Sequence, residues 1–343
     1  MGRPRLQTLI LEMTQDCDHA CLYCYNPWRR PGARPAPART QPDATALLAH
    51  VLAQVDCSHV TLTGGEPLLC EDLEETVGFL TRRGVRVNVI TNGHRLTDAR
   101  AAELIQRGVS LFAVPLLSHR RETHDALCGT EGAFDAALAA LARIRAHRGT
   151  AAVAFVATRL NIADLRDTLR LAFAFGARGV QINRFNPGGR GAAHLDLLPT
   201  LEQVRDALGV ADALAAELGI SVAVSIPIQP CLVALDAYPH LNFGFCAAGT
   251  ERAYYTLDRA GNVRPCNHSA TVLGNVWERP FADIIGGEAM AAFAAATPAF
   301  CQPCPLRDTC QGGCKAAAEA CYGDLRAEEP FLRANIGAAR RLP

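Results

Sequence analysis

Eleven of the fourteen cysteines in this 343-residue chain stand at spacings that predict iron–sulfur cluster ligands. The first three follow the apolar run Thr8 to Met13 with the spacing Cys17-x3-Cys21-x2-Cys24. Thiolate is the soft ligand that such clusters need. Three thiolates can hold three irons of a cubane and leave the fourth open for a small molecule. Three unrelated buried cysteines, or part of a zinc site, are the alternatives.

The cysteine loop, Cys17-Asp18-His19-Ala20-Cys21-Leu22-Tyr23-Cys24, resembles the signature of the radical S-adenosylmethionine (SAM) superfamily. The resemblance implies that the open iron of a 4Fe–4S cluster chelates the amino and carboxylate groups of SAM. One electron would then cleave SAM to a 5′-deoxyadenosyl radical, which abstracts hydrogen from a substrate. It also implies that Tyr23 lies beside the adenine.

A second segment, Gly64-Gly65-Glu66-Pro67, follows the apolar run His59 to Thr63. Paired glycines let the backbone approach a ligand closely, and a carboxylate beside them can accept hydrogen bonds from an ammonium group. The segment resembles the methionine-binding motif of the same superfamily, and an ordinary turn is the alternative. By the same resemblance Ser118 would contact the SAM ribose, although a simple turn serine is an equal alternative.

The C-terminal cysteines form the second strong pattern, which is Cys246-x14-Gly261-x4-Cys266, then Cys301-x2-Cys304-x5-Cys310-x3-Cys314, then Cys321. It resembles the SPASM extension of radical SAM enzymes, which carries auxiliary 4Fe–4S clusters. The resemblance implies a first auxiliary cluster on Cys246, Cys266 and Cys314, with Cys231 as fourth ligand. A second would be held by Cys301, Cys304, Cys310 and Cys321, which makes three clusters in all. A zinc ribbon on residues 301–314 is the alternative.

Short apolar runs alternate with helical patterns from residue 7 to about 225. The predicted strands are 7–13, 59–63, 86–91, 110–116, 151–157 and 179–184, with a possible seventh at 220–226. The predicted helices are 43–55, 72–83, 97–107, 133–147, 162–175 and 201–218. This alternation predicts an α/β fold, an open, partial (β/α)6 TIM-like barrel, with reactive groups at the carboxyl ends of parallel strands.

The composition changes near residue 226, where helical periodicity fades and cysteine, proline and glycine increase. We therefore expect a radical SAM barrel over residues 1–226. A small cysteine-rich SPASM domain and a C-terminal helix would occupy residues 227–343. The segments 253–257 and 262–264 predict a hairpin that presents Cys266.

Charge and hydropathy exclude several classes of partner. The chain has 34 basic and 34 acidic residues, so no broad electrostatic footprint for nucleic acid is expected. No apolar stretch is long enough to span a membrane, and the first residues do not resemble a signal peptide. Fourteen cysteines without an export signal favour metal ligation in a reducing cytoplasm over disulfides.

Residues for the later chemical steps are harder to predict. Cys128, in the loop predicted after the fourth strand, could return a hydrogen atom to a substrate radical, as an epimerase needs. His124 and Asp125 should lie at the same end of the barrel. Sulfatase-maturing relatives carry a catalytic Asp directly after the cysteine of the Gly-x4-Cys element, where this chain has Asn267. Asparagine cannot accept a proton near neutral pH, so that role does not carry over.

These patterns predict an oxidoreductase-type radical SAM/SPASM enzyme, similar to peptide maturases and anaerobic sulfatase maturases. It would cross-link, epimerise or oxidise a ribosomally made peptide. Because sixteen residues precede Cys17, we expect no fused leader-binding domain, and a separate leader-peptide recognition protein would deliver the peptide. A flavodoxin or ferredoxin would donate electrons. The alternatives are radical chemistry on a small molecule, such as a sugar or tetrapyrrole, and a non-catalytic electron-transfer or scaffold protein.

Overall fold

A continuous β-sheet runs through the described part of the chain, residues 3–32 and 43–339 of a computed structural model. Its eleven strands within those residues are β1 Arg5–Thr14, β2 Asp56–Gly64, β3 Arg86–Ile90, β4 Val109–Pro115, β5 Ala151–Ala157, β6 Gly179–Arg184, β7 Ser221–Val224, β8 Leu241–Phe243, β9 Tyr255–Asp258, β10 Asn262–Arg264 and β11 Gly274–Asn275. Strands β1 to β8 lie side by side in chain order and are all parallel. The predicted open, partial barrel is confirmed.

Helices connect successive barrel strands and cover the sheet. The described helices are α1 Ala44–Leu52, α2 Leu73–Thr81, α3 Asp98–Gln106, α4 Arg121–Cys128, α5 Ala133–Ala146, α6 Leu165–Ala174, α7 Leu201–Leu218, α8 Phe281–Ile285, α9 Glu288–Ala295, α10 Arg307–Cys310, α11 Lys315–Tyr322 and α12 Pro330–Asn335. Strand β1 is almost wholly buried along Leu9 to Met13, as expected for a parallel strand covered on both faces.

Local sequence signals explain where the longest helix begins and ends. The Thr200 hydroxyl accepts a hydrogen bond from Gln203 N, and the Gln203 side chain accepts one from Thr200 N, which forms a capping box. Gly219 ends α7 in the left-handed conformation at φ 61°.

Helix α4 occupies the segment for which the sequence predicted a loop. Only three of its residues are buried, His124, Leu127 and Cys128, and they share one face at helical spacing. The other face is charged, so the apolar stripe is too narrow to recognise in the sequence. Gly129 ends the helix at φ 60°.

The cysteine-rich part extends the barrel sheet at both edges. Strand β9 pairs parallel with β1, with Leu9 opposite Tyr255, and the predicted hairpin of β9 and β10 is antiparallel. Strand β8 continues the sheet beyond β7. The fading periodicity after residue 226 was misleading, because five short helices, α8 to α12, follow it. The sheet crosses residue 226, where the composition predicted a domain boundary.

A buried ion pair joins the barrel to the last described helix. Arg184, at the end of β6, contacts Glu329 at 2.8 Å, and the two side chains are 2% and 1% exposed. Gln229 Nε2 donates to the same Glu329 oxygen at 2.6 Å. The Arg184 guanidinium also lies 4.4 Å from the ring centroid of Phe331.

Among the described residues, no helix is long and apolar enough to cross a membrane.

Breaking this pair should destabilise the protein strongly. In Glu329→Gln the buried Arg184 loses its counter-charge at constant side-chain volume, which should lower the free energy of unfolding by about 3–5 kcal/mol. Urea denaturation of anaerobically prepared protein measures the change. The matched control is Glu217→Gln, which removes the partner of Arg170 in an ion pair about half exposed and should cost less than about 1 kcal/mol. Equal, small effects of both variants would refute this role of Glu329.

Candidate active site

The loops after the first three strands meet at the carboxyl edge of the sheet, as expected for neighbouring parallel strands. They enclose a cavity of about 130 Å³. Its lining includes the three predicted cluster cysteines and the second motif, namely Cys17, Cys21, Cys24, Gly64, Gly65 and Glu66, with Tyr23, Thr91 and Asn92. The structure therefore brings together two motifs that lie about forty residues apart in the chain.

The glycine pair lies directly against the turn that leads from β1 into Cys17. Gly65 N donates to Thr14 O and Glu66 N donates to Asp16 O, both at 2.7 Å. A Cβ atom on Gly65 would stand 1.9 Å from Asp16 O, and Gly64 has a φ of +126°. A side chain at Gly65 would push the two loops apart. Gly64 adopts a backbone conformation that other residues rarely adopt, so both positions of this contact require glycine.

Backbone hydrogen bonds hold the cysteine loop at several further points. Ala20 N donates to Cys128 O at 3.1 Å and Leu22 N donates to Leu127 O at 2.9 Å, both at the end of α4. Gly191 N donates to Cys24 O at 3.0 Å. The loop is therefore positioned by the segments after β2, β4 and β6.

Glu66 is the buried carboxylate of this cavity, with 1% of its surface exposed. It accepts hydrogen bonds from Thr91 Oγ1 at 2.6 Å, Asn92 N at 2.7 Å and Leu68 N at 2.9 Å. Burial raises the pKa of Glu66 to about 7, although these donors lower it. A cationic group in the cavity would stabilise the ionised carboxylate. Pro67 begins the 3-10 turn Pro67–Leu69 behind it.

A wider central cavity of about 230 Å³ opens beside the first. Tyr23 and Tyr25 line both cavities. The cysteines of the predicted first auxiliary site also line the central cavity: Cys246, Cys266 and Cys314. Each set of three thiols thus lines its own cavity, and Tyr23 and Tyr25 are shared by the two cavities.

Polar side chains that the sequence analysis missed surround the second set of thiols. The Tyr25 and His268 rings stack with centroids 4.0 Å apart and an angle of 7°. Asn186 Nδ2 lies 3.0 Å from His268 Nδ1 and 3.2 Å from Cys314 Sγ. Burial, together with the Arg264 guanidinium, lowers the pKa of His268 to about 4, so its imidazole is neutral at neutral pH. The one sequence signal that could have identified Tyr25 and His268 as site residues is their position close to Cys24 and Cys266 in the chain.

The remaining C-terminal cysteines are grouped differently from the expectation. Cys231, Cys301, Cys304 and Cys310 line a third cavity of about 420 Å³. Within the described residues, the lining of the central cavity includes Cys246, Cys266 and Cys314 but not Cys231. The lining, within the described residues, does not include Cys321.

The C-terminal thiols do not stand at the spacing of a zinc site in this structure. Zinc–sulfur bonds of about 2.3 Å in a tetrahedron place the sulfurs roughly 3.8 Å apart. Among the described residues, the one group of three or more ligand atoms within 4.8 Å of one another is His19, Cys21 and Cys128. No three of the described C-terminal thiols are therefore within 4.8 Å of one another.

Two of the candidates for later chemical steps, His124 and Cys128, line the first cavity, and Asp125, next to His124 in the chain, bonds backbone groups. Cys128 is 2% exposed and lines the first cavity, next to the thiol of Cys21. His124 Nδ1 accepts a hydrogen bond from Leu117 N at 3.1 Å, and burial lowers its pKa to about 4. Asp125 accepts hydrogen bonds from the backbone N–H groups of Gly132 and Phe134 at the start of α5. His124 and Asp125 therefore both accept hydrogen bonds from backbone N–H groups of neighbouring segments.

Ser118, predicted to contact the SAM ribose, is fully buried. Its hydroxyl donates to Asp164 Oδ2 at 2.6 Å and accepts from Arg120 N at 2.9 Å. As far as the described residues define them, the linings of the first and central cavities do not include Ser118.

Fold and site together define a partial-barrel protein with an open three-thiolate centre and a cysteine-rich extension. Two family models match the chain: the Radical SAM superfamily over residues 11–172, and the SPASM iron–sulfur cluster-binding domain over residues 246–311. The chain carries a Radical SAM domain and a SPASM domain, and it is a radical SAM enzyme.

Relatives match along almost the whole chain. PqqA peptide cyclase of Methylocella silvestris is 29% identical over 330 residues, which cover 94% of this chain and 86% of that protein. AdoMet-dependent heme synthase of Nitratidesulfovibrio vulgaris is 25% identical over 356 residues, covering 96% and 93%.

Solved structures show the same fold at low sequence identity. Streptococcus suis SuiB bound to precursor peptide SuiA has a TM-score of 0.72 at 12% identity, covering 98% of this chain and 75% of that one. Native anSMEcpe with bound AdoMet has a TM-score of 0.73 at 14% identity, covering 98% and 96%.

The residues of the first cavity fit a 4Fe–4S cluster with SAM bound to it. Three thiols suit a cluster with one open iron. Glu66 provides a buried anion for an ammonium group, and the Gly64–Gly65 backbone gives room for a close approach. The fit rests on the donor set and on the close contact that the glycines allow.

Replacing the buried carboxylate should weaken SAM binding selectively. In Glu66→Gln an amide N–H must face one of the three donors that Glu66 accepts, and the anion is lost. We expect SAM to bind the reconstituted enzyme about 10- to 100-fold more weakly, measured by anaerobic equilibrium dialysis. The control is Glu103→Gln on α3, whose partly exposed side chain pairs with Arg107. Unchanged affinity in Glu66→Gln, with an intact cluster spectrum, would contradict this role.

Proposed function

We propose that this enzyme modifies a ribosomally made peptide by cross-linking, epimerisation or oxidation, with three 4Fe–4S clusters and SAM. One arrangement carries the proposal: the cavity lined by the cysteine-loop thiols and the central cavity lined by the SPASM thiols share Tyr23 and Tyr25. Two relatives add support through their names, PqqA peptide cyclase and SuiB bound to precursor peptide SuiA.

The chain's own residues have separable tasks in this reaction. When bound, the cluster and SAM supply a 5′-deoxyadenosyl radical that abstracts a hydrogen atom from the substrate. Cys17, Cys21 and Cys24 would hold that cluster, while Glu66 and the Gly64–Gly65 backbone bind the amino group of SAM. Tyr23 and Tyr25 line both cavities, so they would orient the adenosyl group and the substrate towards each other. Cys246, Cys266 and Cys314 would hold an auxiliary cluster that supplies electron-accepting capacity.

The lining of the central cavity restricts the chemistry after hydrogen abstraction. Within the described residues, it contains no Asp, Glu, Lys or Arg side chain. Asn267 forms a hydrogen bond with the phenol of Tyr25, and burial raises the pKa of Tyr25 to about 12. No carboxylate is thus available there as a general base, which favours steps in which hydrogen atoms or electrons leave the substrate radical.

The same lining favours a peptide over a small anionic substrate. Tetrapyrroles carry several carboxylates, and desolvated carboxylates need cationic partners or many hydrogen-bond donors. The cavity offers tyrosine, asparagine, glutamine and serine side chains, which suit amide groups and uncharged side chains. Tetrapyrrole chemistry remains the second candidate because of the relative named AdoMet-dependent heme synthase.

The proposed partners are a flavodoxin or ferredoxin as electron donor and a separate leader-peptide recognition protein. The balanced charge of the chain, 34 basic and 34 acidic residues, supports a protein or peptide partner over nucleic acid. We place the reaction in the cytoplasm because its thiol ligands require a reducing compartment.

The radical activity has a direct test. Anaerobically reconstituted enzyme with SAM and dithionite should release 5′-deoxyadenosine, and Cys21→Ala should reduce the yield to background because the cluster loses a ligand. Liquid chromatography measures the product. The control is Cys57→Ala on β2, since the Cys57 thiol donates to His59 O at 3.0 Å and lies outside the cysteine sets. Product from neither the parent nor the control would favour a non-catalytic scaffold protein.

The substrate has a separate test. Co-expression with the short peptides encoded near this gene should give one peptide that changes in mass, losing two hydrogens on cross-linking, or in chirality. Tandem mass spectrometry and hydrolysis with chiral analysis detect these changes, and Cys21→Ala is the inactive control. Turnover of a tetrapyrrole with all peptides unchanged would favour the tetrapyrrole alternative.

A further inference from the structure

Four cysteines from distant parts of the chain converge on the third cavity. Cys231 follows β7, Cys301 and Cys304 follow α9, and Cys310 ends α10. Gln229 positions the first of these segments, because its Nε2 donates to Glu329 Oε1 and its carbonyl accepts from Leu232 N at 2.9 Å. Cys231 is therefore carried on a hydrogen-bonded turn anchored to a buried carboxylate.

Backbone hydrogen bonds also fix the other cysteines of this cavity. Cys304 N donates to Cys301 O at 3.1 Å, and Cys310 N donates to Leu306 O at 2.8 Å. All four cysteines belong to one cavity lining.

Cys321 lies elsewhere. It is seven residues after Cys314 along α11, which places it two turns away, or about 10 Å along the helix axis. Its charged and thiol neighbours are Glu329, Arg30 and Cys314, and its side chain is partly exposed. The resemblance to the SPASM pattern implied that Cys321 binds the second auxiliary cluster, but the lining of the third cavity, within the described residues, does not include Cys321.

We propose that Cys231, and not Cys321, is the fourth ligand of the cluster held by Cys301, Cys304 and Cys310. The inference rests on the proposed three-cluster enzyme and changes its ligand partition. The cluster in the third cavity is then fully ligated and serves electron transfer. Cys246, Cys266 and Cys314 remain a three-thiolate set whose thiols line the central cavity, so one iron there is free to bind a nitrogen, oxygen or sulfur donor of the substrate.

Anaerobic alkylation of the wild-type holoenzyme tests this partition without any mutation. Iron-bound thiolates are protected, so iodoacetamide should modify Cys321 and leave Cys231 unmodified, as read by peptide mass spectrometry. The metal-free protein, in denaturant, should be alkylated at both positions, which shows that both peptides are detected. Protection of Cys321 with modification of Cys231 would overturn the proposal.

Matched variants give an independent measurement. Wild-type enzyme and Cys321→Ala should each hold about twelve irons per chain, whereas Cys231→Ala should hold fewer, down to about eight when the three remaining thiolates lose the cluster. An unchanged far-ultraviolet circular dichroism spectrum of Cys231→Ala shows that this variant folds. Loss of four irons from Cys321→Ala, with none lost from Cys231→Ala, would refute the partition. Wild-type enzyme with only about four irons would instead refute the three-cluster proposal itself.

Discussion

The active site depends on one backbone contact, between the glycine pair after β2 and the turn after β1. Because the two strands are adjacent and parallel, their carboxyl ends meet, and Gly65 lets the loops approach to hydrogen-bonding distance of Thr14 and Asp16. This contact fixes Cys17 relative to Glu66. A thiolate centre and a buried carboxylate thereby face one cavity, which is the minimum for binding a zwitterionic cosubstrate at an iron.

The protonation of the site couples its assembly to pH. Burial raises the pKa values of Cys17 and Cys24 to about 11, so both thiols are protonated at neutral pH before metal binds. Ligation by iron requires thiolates, so cluster assembly must release protons and is favoured as pH rises. Burial shields the site from water and also raises the pKa values of these thiols. Metal binding is therefore needed to ionise them at neutral pH.

Sequence reasoning is informative where the determinants are local and says little where they depend on the path of the folded chain. Strand β1, the capped helix α7 and the Cys17–Cys24 loop all have their determinants within a few neighbouring residues. Whether Cys231 joins Cys301 or Cys246 depends instead on the path of the chain after β7, which no spacing records. Similarly, Ser118 follows a predicted strand as expected, yet Asp164, forty-six residues away, engages its hydroxyl.

Strand β1 connects the cysteine loop to the hairpin that leads to Cys266. It pairs with β2 on one side and with β9 on the other, and the β9–β10 hairpin leads to Cys266. The cysteine loop follows β1 directly, and the hairpin that leads to Cys266 pairs with the same strand. The buried Arg184–Glu329 ion pair is a second connection between the barrel and the C-terminal part. A sheet resists changes in spacing because its hydrogen bonds must break together. In the proposed reaction, strand register would set the distance between the cysteine loop and the SPASM thiols, and the uncharged side chains of the central cavity would select the substrate.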